Sequence, residues 1–240
     1  MKSAIIFGYN EYSLEIAESL KSKYYDVSLF VLEDKEYKSL TTKGYNTLKF
    51  NLDDDFLYLS HRQDLEDIVV FCALEDTAQN IFLTISLRAN FDDLIIIALS
   101  LDHESGRKLK MAGANKIIPI TQTTVSMITE MIERPFVTKI LNDILYSDKQ
   151  LKIVQIAIKA DAVIIGHIVE EVDWKCNYGL LVIAVIRDNL DTSFIFTKKA
   201  NKEPLKEDDI LVIIGYERDI EDFEKLMGRR HYGNRSDWGW

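Results

Sequence analysis

Ala4-Ile5-Ile6-Phe7-Gly8-Tyr9-Asn10-Glu11-Tyr12-Ser13-Leu14-Glu15-Ile16-Ala17 reads as a buried strand, one tight turn and a helix. That unit is where a dinucleotide-binding fold grips a pyrophosphate. Only the first glycine of the G-x-G-x-x-G fingerprint is present, because Asn10 and Ser13 stand where the second and third belong. At Gly8 the backbone N–H groups of a helix start would face a phosphate, and the helix dipole favours negative charge there. Asn10 is expected to take the left-handed backbone conformation that a glycine would supply. Ser13 is small enough to let helix and strand pack. The stretch speaks for the fold more than for the ligand.

Outward from this unit, short apolar runs alternate with helix-length segments as far as residue 120. Residues 4–7, 27–32, 47–50, 68–72, 94–99 and 116–119 read as strands. Residues 12–22, 34–43, 56–61, 78–89 and 104–111 read as helices. Parallel neighbours need a helix-sized, right-handed return, so this order predicts a Rossmann-like doubly wound parallel sheet. Residues 121–147 form a longer helical region, broken or kinked at Pro135, whose apolar faces could pack on its own sheet, on the second lobe or on a second copy of the chain. Beyond the polar link 147–150, strands are expected at 151–158, 180–187, 193–197 and 210–215. A short amphipathic helix is expected at 162–172 and a closing helix at 218–227, giving a small α+β carboxy-terminal lobe with partly antiparallel pairing. The fold class is therefore α/β, in four stretches: 1–120 a nucleotide-binding domain, 121–149 connecting helices, 150–228 a second lobe and 229–240 a polar tail.

Composition narrows the function. A formal charge of -10 argues against nucleic acid as a partner, since a polyanion site needs a concentrated basic face. Cys72 and Cys176 are the two cysteines, each flanked by apolar sequence, which suggests neither a disulfide framework nor metal-ligand spacing. The four histidines, His61, His103, His167 and His231, lack ligand partners at metal spacing. Asp53-Asp54-Asp55 lacks the glycine and alternating ligands of a calcium loop and reads as a solvated turn. No run approaches eighteen apolar residues, and no leader pattern opens the chain, so a cytoplasmic protein is expected. Arg229, Arg230 and Arg235 give the tail three charges, too few for stable membrane attachment.

Three segments together resemble the RCK, or TrkA-type, regulators of potassium conductance. They are the degenerate turn at Gly8, the run from Lys108 to Pro119 (KLKMAGANKIIP), and a later module. The module comprises Gly166-His167-Ile168-Val169, the run from Tyr178 to Arg187 (YGLLVIAVIR), and the run from Pro204 to Gly215 (PLKEDDILVIIG). The resemblance covers residues 3–228. It implies a TrkA-N lobe that binds an adenine nucleotide or NAD(H), followed by a TrkA-C lobe. It also implies self-association as a dimer or an octameric ring, with residues 121–149 at the dimer interface. Such a protein would sit at the cytosolic face of the membrane, do no chemistry, and gate a membrane-embedded potassium channel or transporter pore subunit by a ligand-biased shift between two states.

The resemblance also places site residues. Gly8, Asn10 and Glu11 form the phosphate turn, though the family often carries a basic residue at the position of Glu11. In an ungapped register the ribose acid falls on Val31, and Glu33, two residues on, could substitute. Asn51 and Leu52 follow the third strand and face the base. Leu74 and Glu75, with Asp76, follow the fourth strand. Leu99 and Thr121 stand where the family often has a basic residue and a glutamate. Structural readings remain open beside these: Glu33 and Asp34 as a helix-start acidic pair, and Asn51 as a cap. Two other functions compete. An NAD-dependent oxidoreductase would need a catalytic acid-base residue near the nicotinamide. An RCK-fold scaffold that has lost its nucleotide would keep only the fold and the assembly surface.

Overall fold

The structure is a computed structural model that describes residues 3–21, 26–53, 56–60, 65–146, 151–187, 192–194 and 203–227. The chain divides into two compact units at Thr129 and Glu130. The first unit runs β1 (Ser3–Phe7), α1 (Glu11–Lys21), β2 (Asp26–Val31), α2 (Asp34–Thr42), β3 (Asn46–Lys49), α3 (Leu57–Ser60), β4 (Ile68–Cys72), α4 (Thr77–Asn90), β5 (Ile95–Ser100), α5 (His103–Met111) and β6 (Lys116–Pro119).

These strands form one parallel sheet in the order β3-β2-β1-β4-β5-β6. β1 lies at the switch point, with Ile6 opposite Leu29 on one side and Phe71 on the other. Every residue of β1, β4 and β5 is buried, because helices cover both faces of the sheet and leave no strand a wet side. On the β2–β3 side the aromatic rings close up: Phe7 meets Phe30 at 4.9 Å and Phe50 at 4.8 Å. At the amino-terminal end of β5 the Arg88 guanidinium donates to the carbonyls of Gly113, Phe91, Asp92 and Leu94 and to Asn115 Oδ1. One side chain thus ties α4, β5 and the turn into β6 together.

α6 (Ile120–Glu133) follows directly, and the boundary between the two units falls within it. α7 (Pro135–Tyr146) begins at the proline that the sequence marks as a break, at the first helical position where its missing N–H is harmless. Among the residues whose burial is described, Ile120–Glu133 and 135–145 include no buried one. Ile132 is 76% exposed and Phe136 81%, and Val125, Val137, Ile140 and Leu141 are also exposed.

The second unit contains β7 (Leu151–Ala157), α8 (Trp174–Tyr178), β8 (Leu181–Ile186), β9 (Thr192–Phe194), β10 (Ile210–Tyr216) and α9 (Glu217–Leu226). Its sheet order is β7-β10-β8-β9, antiparallel at every described pairing. α9 buries Ile220 and Phe223, and Phe223 meets Trp174 and Tyr178 at 5.9 and 5.1 Å. Arg187 pairs with Asp209 at 3.1 Å, and the Lys206 N–H also donates to that carboxylate.

Two sequence expectations change here. The helix expected at 162–172 does not form; the segment is a series of turns that ends in a 3-10 turn, Val169–Glu171. Gly166 has φ +81°, its N–H donates to Leu205 O, and Leu205 N–H donates to His167 O, so the backbone is tied to a distant segment rather than to itself. The apolar spacing that suggested a helix instead puts Ala162, Ile164 and Val169 into the lobe's core through turns. Cys176 is exposed rather than apolar-embedded, whereas burial pushes the Cys72 thiol up to about 12. The link 147–150, the tail 229–240, His61, Asp54, Asp55 and residues 195–197 of the expected third lobe strand lie outside the described residues.

Candidate functional site

The turn after β1 shows how the altered fingerprint folds. Gly8 has φ +134°, and a Cβ there would lie 2.3 Å from Ala73 O, so only glycine lets β1 and β4 end side by side. Asn10 is not left-handed. The described non-glycine residues with positive φ are Phe56 and Asp208, and Asn10 instead caps α1. Its Oδ1 accepts from the Ser13 N–H at 2.9 Å, and its own N–H donates to Ser13 Oγ at 2.9 Å. Its Nδ2 donates to Ala73 O at 2.6 Å. Where a glycine would leave room for a phosphate, this side chain spans from the helix start to the end of β4.

The neighbouring helices repeat the pattern. Glu33 is exposed, its N–H donates to the Glu36 carboxylate at 3.1 Å, and it starts α2. Asp76 Oδ1 accepts from Gln79 N at the start of α4. Asp102 Oδ1 accepts from Ser105 N at the start of α5, and this bond holds the Asp102 carboxyl below the usual carboxylate range. Asp34, beside Glu33, bonds to Lys49 at 2.6 Å, which likewise lowers its pKa. The helix starts along the carboxyl edge of the sheet are thus met by the chain's own side chains, three of them at acidic residues. Glu11 begins α1 and is exposed. Val31 is fully buried, Asn51 is exposed, and Leu52 packs against the core.

Of the eight residues singled out from the sequence, Asn10, Leu74 and Glu75 come together around one cavity of about 260 Å³. Gly8 shapes its floor by letting Ala73, another lining residue, approach. Glu11, Glu33, Asn51 and Leu52 do not line it. Leu99, Leu101, Leu109 and Ile120 supply apolar walls, and Tyr12, Thr77, Asn80, Ser100 and Ser105 complete the lining. The cavity lies over the carboxyl ends of β4 and β5, beside the switch point where open α/β sheets bind ligands.

The buried polar residues of this lining are Asn80, Ser100 and Ser105, and the sequence reading singled out none of them. Asn80, in the first turns of α4, donates through Nδ2 to Cys72 O and Leu99 O and accepts from Leu74 N through Oδ1. It joins the ends of β4 and β5, and its signal was an asparagine on the apolar face of a helix four residues past the cap. Ser100, 2% exposed, is the buried side-chain group for which the described residues offer no hydrogen-bond partner. As the last residue of β5 in an apolar run, it gave no signal of its own. No group of three or more His, Cys, Asp or Glu that could hold a metal ion occurs among the described residues. None of them forms a helix long and apolar enough to cross a membrane.

The family model of the TrkA-N domain matches residues 4–120, and that of the TrkA-C domain matches residues 153–228. The chain belongs to the TrkA, or RCK, family. Among solved structures, this RCK chain is similar to the human SLO3 gating ring, at 14% identity and a TM-score of 0.65, covering 94% of this chain and 46% of that one. It is also similar to the NAD(P)-binding domain of an exopolyphosphatase-related protein from Archaeoglobus fulgidus, at 17% identity and a TM-score of 0.50, covering 56% of this chain and 99% of that one. The GsuK RCK domain matches at 16% identity and a TM-score of 0.49, over 95% of this chain and 47% of that one. The likeness is therefore one of fold, and the chain spans less than half of the SLO3 and GsuK chains. No curated protein sequence matches it.

Within the RCK fold, the crevice beside β1 is where a dinucleotide's pyrophosphate would be tested. The residues present do not fit that group: the Ser13 N–H is taken by Asn10, and neither lysine nor arginine lines the cavity. An anion placed there would lose water without gaining a cation.

Proposed function

We propose that this RCK chain is a non-catalytic regulatory component of a potassium channel or potassium transporter, acting at the cytosolic face of the membrane. A shift between two assembled states would control conduction. The observation that carries this reading is the order of a TrkA-N and a TrkA-C domain along one chain. The assembly is a dimer, or a ring built from dimers. The exposed apolar residues of α6 and α7 supply surface for it, since exposed apolar area on this scale is a feature of interaction surfaces. The cavity lining offers neither histidine nor lysine as an acid-base group, which favours binding over hydride chemistry. The capped helix starts favour the variant in which the amino-terminal lobe no longer holds a polyphosphate.

The test is potassium flux. The full chain is added to liposomes carrying candidate potassium pore proteins, and rubidium uptake is followed with and without it, alongside light scattering of the chain alone. A changed flux with a dimer or larger assembly is the expected result. A monomer that alters no pore overturns the proposal.

A further inference from the structure

We infer that the cavity over β4 and β5 takes a small, uncharged, phosphate-free aromatic molecule of nucleobase size, held by a hydrogen bond to Ser100 Oγ. The inference deepens the reading of the amino-terminal lobe as the sensing lobe and rests on it.

Size comes first. At about 260 Å³ the space has room for one or two fused rings, and a dinucleotide would have to reach beyond it. Shape and polarity come next. Leu74, Leu99, Leu101 and Leu109 form apolar walls, with the half-exposed ring of Tyr12 among the lining. A rigid ring fills such a space with little loss of conformational freedom.

The buried polar side chains of the lining are Asn80, Ser100 and Ser105. Both Nδ2 hydrogens and the Oδ1 of Asn80 have partners, and Ser105 Oγ donates to Asp102 O. Ser100 Oγ is buried in the lining without a partner. A buried hydroxyl left unmade costs free energy that a ligand group can recover. A molecule with one ring nitrogen or amide in reach of it satisfies that group.

Charge decides the class. The single charged residue of the lining is Glu75, which is exposed, so a cation there gains only a solvent-screened contact and an anion meets repulsion. The place where a phosphate would sit is held by Asn10, and the flanking helix starts carry Asp76 and Asp102. The fold thus keeps the crevice of a nucleotide site and excludes the phosphate.

The test uses matched probes on the full 240-residue chain by calorimetry. Adenine is compared with AMP, and nicotinamide with nicotinamide mononucleotide. One base is expected to bind at least about tenfold more tightly than its phosphorylated partner, a difference of about 1.4 kcal/mol. Ser100→Ala removes no intramolecular hydrogen bond, so it should fold as the parent does and weaken base binding about five- to tenfold. Asn10→Gly should narrow the gap between base and nucleotide by reopening the turn. Nucleotides binding as tightly as the bases, neither base binding at millimolar concentration, or Ser100→Ala binding unchanged would each overturn the inference. Binding is read on the chain alone and gating on flux through a pore, so the failure of one is distinguishable from the failure of the other.

Discussion

The two sides of the crevice beside β1 use the same fold in opposite ways. On the β2–β3 side, phenylalanines pack together in the core, the Glu33 N–H donates to the Glu36 carboxylate at the start of α2, and Asp34 pairs with Lys49. On the β4–β5 side, Asn80 props the strand ends and a cavity remains, with an unpaired hydroxyl in its wall. A doubly wound sheet supplies a crevice by topology, and side chains decide how each half of it is lined. Among the described residues, the β2–β3 half carries the exposed Glu33 and Asp34, and the β4–β5 half carries a cavity whose one charged lining residue is Glu75.

This contrast can be broken most sharply at the residue the two sides share. Gly8→Ala forces a Cβ to within 2.3 Å of Ala73 O at a φ of +134°, and we expect a loss of about 3 kcal/mol or more in urea unfolding. An alanine variant as stable as the parent would mean that β1 and β4 do not end as described. Next in size, Asn80→Leu should cost about 2–4 kcal/mol, since it takes the side-chain partner from two carbonyls and one N–H at a buried position. If the leucine is neutral, Asn80 does not hold the ends of β4 and β5. Asn10→Ala removes a cap and the tie to Ala73 and should cost about 1–2 kcal/mol.

A pH series sharpens the capping argument. The native pKa values of Asp102, Asp34 and Asp173 lie below the ordinary value, so their contribution is fully present above the unfolded pKa, near 4, and is lost as pH falls through the lowered native values. The urea midpoint should hold level above about pH 5 and decline below about pH 4, with Asp102→Asn shallower in that limb. An acid limb unchanged in the variant would remove Asp102 from the account. Smallest of all, Glu33→Ala should change stability by no more than about 0.5 kcal/mol, because the residue is exposed. A drop in ligand affinity in that variant would reopen the β2–β3 side as a binding surface.

Most of the parallel sheet was legible because its strands are buried on both faces and read as unbroken apolar runs, with Gly8 marking the first turn. Pro135 announced the break between α6 and α7 for a similarly local reason. The turns at 162–168 were not legible, since their conformation is set by hydrogen bonds between Gly166, His167 and Leu205, nearly forty positions away. At the site, Asn10, Leu74 and Glu75 followed from position in the fold. Asn10 was misread in conformation because a capping asparagine and a left-handed one look identical in sequence. Asn80 and Ser100 act through burial and through partners, or the lack of them, which only packing reveals. The apolar spacing of the long helices was plain, and how much of it stays uncovered was not.

Ile120 belongs to the cavity wall and is also the first residue of α6. A helix of fourteen residues is a rod about 21 Å long at ~1.5 Å per residue. A tilt of about 5° at its foot would swing its tip, beside the exposed Ile132, by nearly 2 Å, about a fifth of the 8–10 Å spacing between packed helices. A guest in the cavity would therefore touch the foot of a helix whose farther turns carry the exposed Val125, Ile128 and Ile132.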